Sequence, residues 1–133
     1  MKKISIMLMI ASLAFLTACN NGQKINGHTS KTAFKSVKIL KNRLLPENRI
    51  EFEVAFWTIR DDIKDDKQFL STVDGKTPEE IIAIAKEIYQ QRKTAGVQEY
   101  TQYKTWEEMI TRFGRERLEQ DNRKSTKKES SQE

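Results

Sequence analysis

The chain has 133 residues, 24 Lys and Arg against 19 Asp and Glu, a formal charge of +5 and a single cysteine. One Cys excludes an internal disulfide in any redox compartment, and a chain of this length supports one modest core that packing alone must hold. Residues 20–60 carry eight Lys/Arg against three Asp/Glu and residues 61–90 carry four against eight, a dipolar pattern without the aromatic and basic interleaving of a nucleic-acid surface.

The first element reads as an export leader. Lys2 and Lys3 precede an apolar run over residues 4–16 that only Ser5 and Ser12 interrupt, and Leu16-Thr17-Ala18-Cys19 follows. As a helix the run would reach only about 20 Å, short of the roughly 30 Å hydrocarbon core of a bilayer. No second apolar run follows, so the segment is expected to be removed after export. Leu16-Thr17-Ala18-Cys19 resembles the lipobox of bacterial lipoproteins. That resemblance implies cleavage between Ala18 and Cys19 by signal peptidase II, and acyl chains such as palmitate on Cys19. The membrane is then a partner through those chains. Each buried methylene contributes ~0.8 kcal/mol; one chain binds reversibly and two or three do not. Asn20, not Asp, follows the cysteine, which resembles the pattern of enteric lipoproteins sorted to the outer membrane and implies a position facing the periplasm. Removal of residues 1–18 takes Lys2 and Lys3 with it and lowers the formal charge from +5 to +3.

Residues 19–29 are polar, contain Gly22 and Gly27, and are expected to form a flexible tether after the lipidated Cys19. A helical domain is expected over residues 30–121, with all-α architecture as a small bundle of about four short helices. In the first, Ala33, Val37, Leu40 and Leu44 fall on one stripe beside Phe34, with Ser30 as a candidate cap. Residues 46–62 are ambiguous. Ile50, Phe52, Val54 and Phe56 alternate as in a strand, yet Phe52, Ala55, Phe56, Ile59 and Ile63 share a narrow helical arc, and Pro46 suits a helix start. Helix is the preferred reading. Thr77-Pro78-Glu79-Glu80 is a capping box around a first-turn proline, followed by an arc of Ile81, Ile84, Ala85, Ile88 and Tyr89 that Gly96 ends. Thr105 and Glu108 form a second such box before Trp106, Met109, Ile110 and Phe113, and Arg117 breaks that stripe, so this helix is expected to fray near residue 120. Residues 122–133 hold no apolar side chain and read as a disordered polar tail.

Three stretches carry a wider resemblance: Asn26-Gly27-His28-Thr29-Ser30 with Ala33 and Phe34, Leu44-Leu45-Pro46-Glu47-Asn48-Arg49 with Phe52 and Ala55, and Asp74-Gly75-Lys76-Thr77-Pro78-Glu79-Glu80-Ile81-Ile82. Together they resemble a family of short proteobacterial lipoproteins known only as a domain of unknown function, over roughly residues 19–93. The resemblance implies that the second element is helical and brings no activity, cofactor or catalytic residue. Ser often stands in that family where Leu45 stands here, and Leu cannot accept the hydrogen bond that a Ser cap would.

Candidate chemistry is sparse. Gly75-Lys76-Thr77 ends like a phosphate-binding loop, but Leu70 occupies the position of that loop's first glycine, so a turn and helix cap are expected and no nucleotide. Asp61, Asp62, Asp65 and Asp66 suggest a cation site, but Lys64 and Lys67 lie among them and a solvated helix end is the better reading; no metal is expected. His28, the only histidine, falls in the expected tether, where no scaffold would hold it for proton transfer. Tyr100, Tyr103 and Trp106 suit core packing more than sugar stacking. Lys124, Lys127 and Lys128 suit solubility more than contact with anionic headgroups, given Glu129 and Glu133. No nucleophile elbow, zinc pattern or apolar carboxylate pair is present, so no enzyme and no cofactor are expected.

A partner surface has one candidate. If residues 47–62 are helical, Ile50, Val54 and Trp57 lie opposite the face of Phe52, Phe56 and Ile59. That second face is either covered by the last helix or left as an apolar patch centred on an aromatic. The expected role is a lipid-anchored envelope module, non-enzymatic, that contacts another envelope protein. Binding of a cell-wall glycan or small ligand, and an immunity or inhibitor role, are the alternatives.

The anchor is directly testable. Cys19→Ala should block lipidation and leave a precursor longer by residues 1–18, as should growth with a signal peptidase II inhibitor. A soluble wild-type protein whose mass carries no acyl chain would remove the assignment.

Overall fold

The computed structural model describes residues 23–131. The expectations placed on Ala18, Cys19 and the apolar run before them lie outside the described residues. The described chain is helical, with α1 Ser30–Arg43, α2 Pro46–Asp62, α3 Asp66–Val73, α4 Pro78–Thr94, α5 Gln98–Thr101 and α6 Trp106–Glu129. The four expected helices are α1, α2, α4 and α6. The additions are the two-turn α3 and the single turn α5, both too short to show a periodic stripe. Among the described residues no helix is long and apolar enough to cross a membrane.

The ambiguous segment is helix α2. Phe52, Ala55, Phe56 and Ile59 are fully buried on one face, and α2 makes its most extensive contact with α4 through Ile81, Ala85, Ile88 and Tyr89. Tertiary burial decides between the two periods: a strand over residues 50–56 would send Phe52 and Phe56 to one side and leave Ala55 and Ile59 without a core. Leu45 is the N-cap of α2 and makes no side-chain cap bond, and Arg49 instead donates from Nε to the Leu44 carbonyl at 3.1 Å. Around α2, Ala33, Val37 and Leu40 of α1 and Phe69 and Val73 of α3 complete the core, with Phe56 and Phe69 edge to face at 5.4 Å.

Caps explain the other boundaries. Thr29, and not Ser30, caps α1 in a capping box with Thr32. Thr77 and Glu80 form the box at α4, whose end is a Schellman motif: Gly96 at φ +77° donates to the Lys93 carbonyl and Val97 to that of Arg92. At α6, Thr105 accepts from the Glu108 N–H, while the Glu108 carboxylate reaches one residue further back, to the Lys104 N–H at 2.8 Å.

Two sequence expectations are corrected. Within the stretch read as a tether, residues 25–29 are docked on the domain. Ile25 is buried, its N–H donates to the Lys76 carbonyl at 2.9 Å, and its own carbonyl accepts from Gly75 at 2.8 Å. Gly27 donates to Asp74 Oδ1 at 2.8 Å. Residues 25–27 therefore bind the α3–α4 turn, in which Gly75 adopts φ +68°. The second correction concerns the tail: α6 continues to Glu129 instead of fraying near residue 120. Beyond Gly114 the helix meets no Gly or Pro, Glu119 pairs with Arg123 one turn on, and Lys127 and Lys128 sit at its negative end.

Gly27 is required by proximity. A Cβ there would lie 2.6 Å from the Leu70 carbonyl oxygen and 2.6 Å from Asp74 Cβ. Because one obstacle is backbone, Gly27→Ala should dislodge the N-terminal strap and lower stability by about 1 to 3 kcal/mol, read as a lower urea midpoint. An unchanged midpoint would mean that the strap contributes nothing to the fold.

Candidate functional site

α6 crosses the outer face of α2 without covering it. Between them, and under the turn of α5, runs a groove of about 550 Å³. Val54, Thr58, Tyr100, Tyr103 and Met109 line its inner part, and Trp57 and Phe113, 49% and 40% exposed, stand at its edges. Of the proposed partner-binding residues, Val54 and Trp57 lie in this groove. Ile50 lines a smaller, adjacent pocket with Val54, Phe113, Arg117 and Gln120, on the other side of the Glu53–Arg117 pair. The structure thus places Val54 and Trp57 in one groove and Ile50 beside it on the same helix.

Each wall has a local cause. Trp57 stays at the surface because the inward arc of α2 is already filled by Phe52, Phe56 and Ile59. Its ring is held between α1 and α2, stacked on Phe34 at 5.6 Å and edge to face with Phe56 at 5.6 Å. The aromatic trio of Tyr100, Tyr103 and Trp106 is buried, as core packing requires. Trp106 closes on α2 by donating its indole N–H to Glu51 Oε1 at 2.8 Å, while the Tyr89 hydroxyl donates to the Tyr103 carbonyl at 3.2 Å. Arg112 lies over the Tyr103 ring at 4.8 Å.

Glu53 closes one end. Its carboxylate takes Arg117 Nη2 at 2.8 Å and Lys41 Nζ at 3.2 Å, joining α1, α2 and α6 at one point. Burial pushes the Glu53 carboxyl up, but the hydrogen bonds and charges of Arg117 and Lys41 outweigh it and hold the group below its ordinary value. Arg117, which the periodicity marked as an interruption, is what ties α6 to this end. At the other end Asp61 and Glu99 face the opening beside Tyr100, whose hydroxyl is pushed up by burial and by the Asp61 charge and stays a neutral phenol.

The other singled-out residues serve the fold. The four aspartates are divided among separate tasks: Asp62 binds Arg92, Asp65 caps α3 through the Gln68 N–H at 2.8 Å, Asp66 pairs with Arg60 at 2.6 Å, and Asp61 pairs with Lys64 at 2.9 Å. Among the described residues no three His, Cys, Asp or Glu side chains converge as metal ligands. His28 is exposed in the turn before α1, and Gly75-Lys76-Thr77 is the turn and cap that receive the N-terminal strap. Sequence reasoning missed Glu53, Thr58, Asp61, Glu99, Met109 and Phe113 as groove residues. Their convergence depends on where α5 and α6 cross α2, although the i, i+4, i+8 spacing of Met109, Phe113 and Arg117 did mark one helix face.

The chain matches no protein-family model, and no curated protein or solved structure is significantly similar to it.

The groove's closed end is expected to respond to acid. A carboxyl whose folded pKa lies below its ordinary 4.5 contributes stability that is complete above about pH 4.5 and is lost as the pH falls through the lower folded value. Melting temperature should therefore drop on that limb in the wild type. In Glu53→Gln it should start lower at neutral pH and show a shallower acid limb. Identical limbs in the two proteins would exclude Glu53 as the responsible group.

Proposed function

We propose that this chain is a lipid-anchored envelope lipoprotein, acylated on Cys19 after cleavage behind Ala18, whose domain works by contact with another envelope protein. On this reading it faces the periplasm from the outer membrane and belongs with the short lipoproteins that it resembles. The observation that carries the contact is the groove itself. A small domain that has filled its core still leaves Trp57 and Phe113 half exposed on either side of a cleft of about 550 Å³. Half-exposed aromatics around an apolar cleft are the composition of interface centres, where Trp and Tyr carry much of the binding energy. The rigid setting of Trp57 between Phe34 and Phe56 supports the same reading, since a pre-ordered anchor loses little entropy on binding.

The placement of the groove fits an anchored module. The N-terminal strap is fastened at the α3–α4 turn, through Ile25 with Gly75 and Lys76, whereas the groove is built by α2, α5 and α6. A lipid-tethered strap and a recognition cleft thus use different elements of the fold.

A photo-crosslinking residue at Phe113 in the full chain, in its native cell, should capture a defined envelope protein, and Trp57→Ala should abolish that adduct. Trp57 is half exposed, so its truncation should lower stability by only about 1 to 2 kcal/mol, against roughly 3 to 5 for the buried Phe56→Ala. An adduct that survives Trp57→Ala, or a loss of stability as large as that of Phe56→Ala, would return Trp57 to a purely structural role.

A further inference from the structure

The charges around the groove are not all neutralised by the chain. Four charged side chains line it: Glu53, Asp61, Glu99 and Arg117. Glu53 pairs with both Arg117 and Lys41, so at the end that they close the carboxylate is fully engaged and the net charge is positive, whereas the open end is acidic. Among the described residues Asp61 pairs only with Lys64, three residues on in the sequence, and both side chains of that pair are more than half exposed. A pair of this kind is worth about 0 to 1 kcal/mol and exchanges readily for another cation. Among the described residues the Glu99 carboxylate has neither a hydrogen bond nor an ion pair. The neighbouring Asp62 does not add to them, because Arg92 holds it from α4.

We infer that the open end of the groove receives a basic side chain, Lys or Arg, from an otherwise apolar peptide segment of the partner, its cation between Asp61 and Glu99 and its aliphatic stem along Trp57 and Tyr100. This rests on the interaction reading above and names the chemistry that the partner brings. Size argues for a segment over an ion: about 550 Å³ holds several side chains, and the stretch of α2 from Glu53 to Asp61 is about 12 Å long, roughly two helical turns of an occupant. Val54, Tyr103 and Met109 would take its apolar side chains. Trp57 and Tyr100 line the groove beside two carboxylates, an apolar and acidic setting that suits a cation with a long apolar stem better than a small hydrated ion. An acidic segment would be repelled by Asp61 and Glu99 at the open end, and would find Arg117 already paired with Glu53 at the other.

The test uses the full chain in detergent and fluorescence anisotropy of three labelled, end-blocked peptides, in which Leu and Phe alternate with Lys, with Gln or with Glu. The Lys peptide should bind at least about tenfold more tightly than the other two and weaken as salt rises. Asp61→Asn with Glu99→Gln should erase the preference while leaving the melting temperature within a few degrees of wild type. Three outcomes overturn the inference: equal binding of the Lys and Gln peptides by the wild type, a preference that persists in the double variant, and a concentration-dependent dimer that excludes every peptide. If the double variant does not fold, the salt dependence of the Lys peptide on the wild type decides alone. The peptide result is separable from the groove's role as such: loss of the native crosslink in Trp57→Ala without charge selectivity leaves the groove and removes the cation, whereas a crosslink that survives Trp57→Ala removes both.

Discussion

Helix α2 carries apolar side chains on two faces, and a domain of about one hundred residues without a disulfide has only one core in which to place them. The inward face takes Phe52, Ala55, Phe56 and Ile59, packed against α4 and continued by Phe69 of α3. Everything peripheral follows from what remains. α6 is the element available for the second face, and it covers Ile50 and Val54 in part while leaving Trp57 at the edge. The groove is therefore a product of how the core was filled: the inward face of α2 is complete, and α6 and α5 meet its outer face only in part.

The acidic residues of α2 fix how its neighbours lie on it. Glu51 accepts from Trp106 of α6 and pairs with Lys86 of α4, Glu53 joins Lys41 of α1 to Arg117 of α6, and Asp62 holds Arg92 of α4. Exposed ion pairs contribute little stability one at a time. Here they converge on one helix and contact three others, so their larger effect is on register: an α6 displaced by one turn would lose Trp106 and Arg117 together and close or open the groove. Residues with modest energies thereby position those that line the groove.

The N-terminal strap acts at the opposite side of the domain. Ile25, Gly27 and Thr32 tie residues 25–29 to the α3–α4 turn and to the start of α1, and the close approach of Gly27 to the Leu70 carbonyl leaves no room for a side chain.

Local signals were enough to identify the principal helices. The Thr77 and Glu80 box, Pro78 and the Gly96 stop are complete within a few residues of sequence, because caps satisfy backbone groups with near neighbours. The stripes of α1, α4 and α6 were legible for the same reason, as was the composition of the outer face of α2 in Ile50, Val54 and Trp57. The leader, the lipobox and an anchor on Cys19 are expectations from sequence alone, on residues outside those that the structure describes. What the tertiary structure decided was every relation between distant segments. It chose helix over strand for residues 50–56, because only a packed core distinguishes two periods that both fit a short apolar run. It docked residues 25–29, whose polarity resembled a tether, because their backbone groups and Ile25 find partners some fifty residues away at Asp74, Gly75 and Lys76. Arg117, an interruption when read along its own helix, became the tie to Glu53, and Asp61 and Glu99, 38 positions apart, became two sides of one opening. Periodicity reports which face of a helix is apolar, whereas the crossing of helices determines what that face meets.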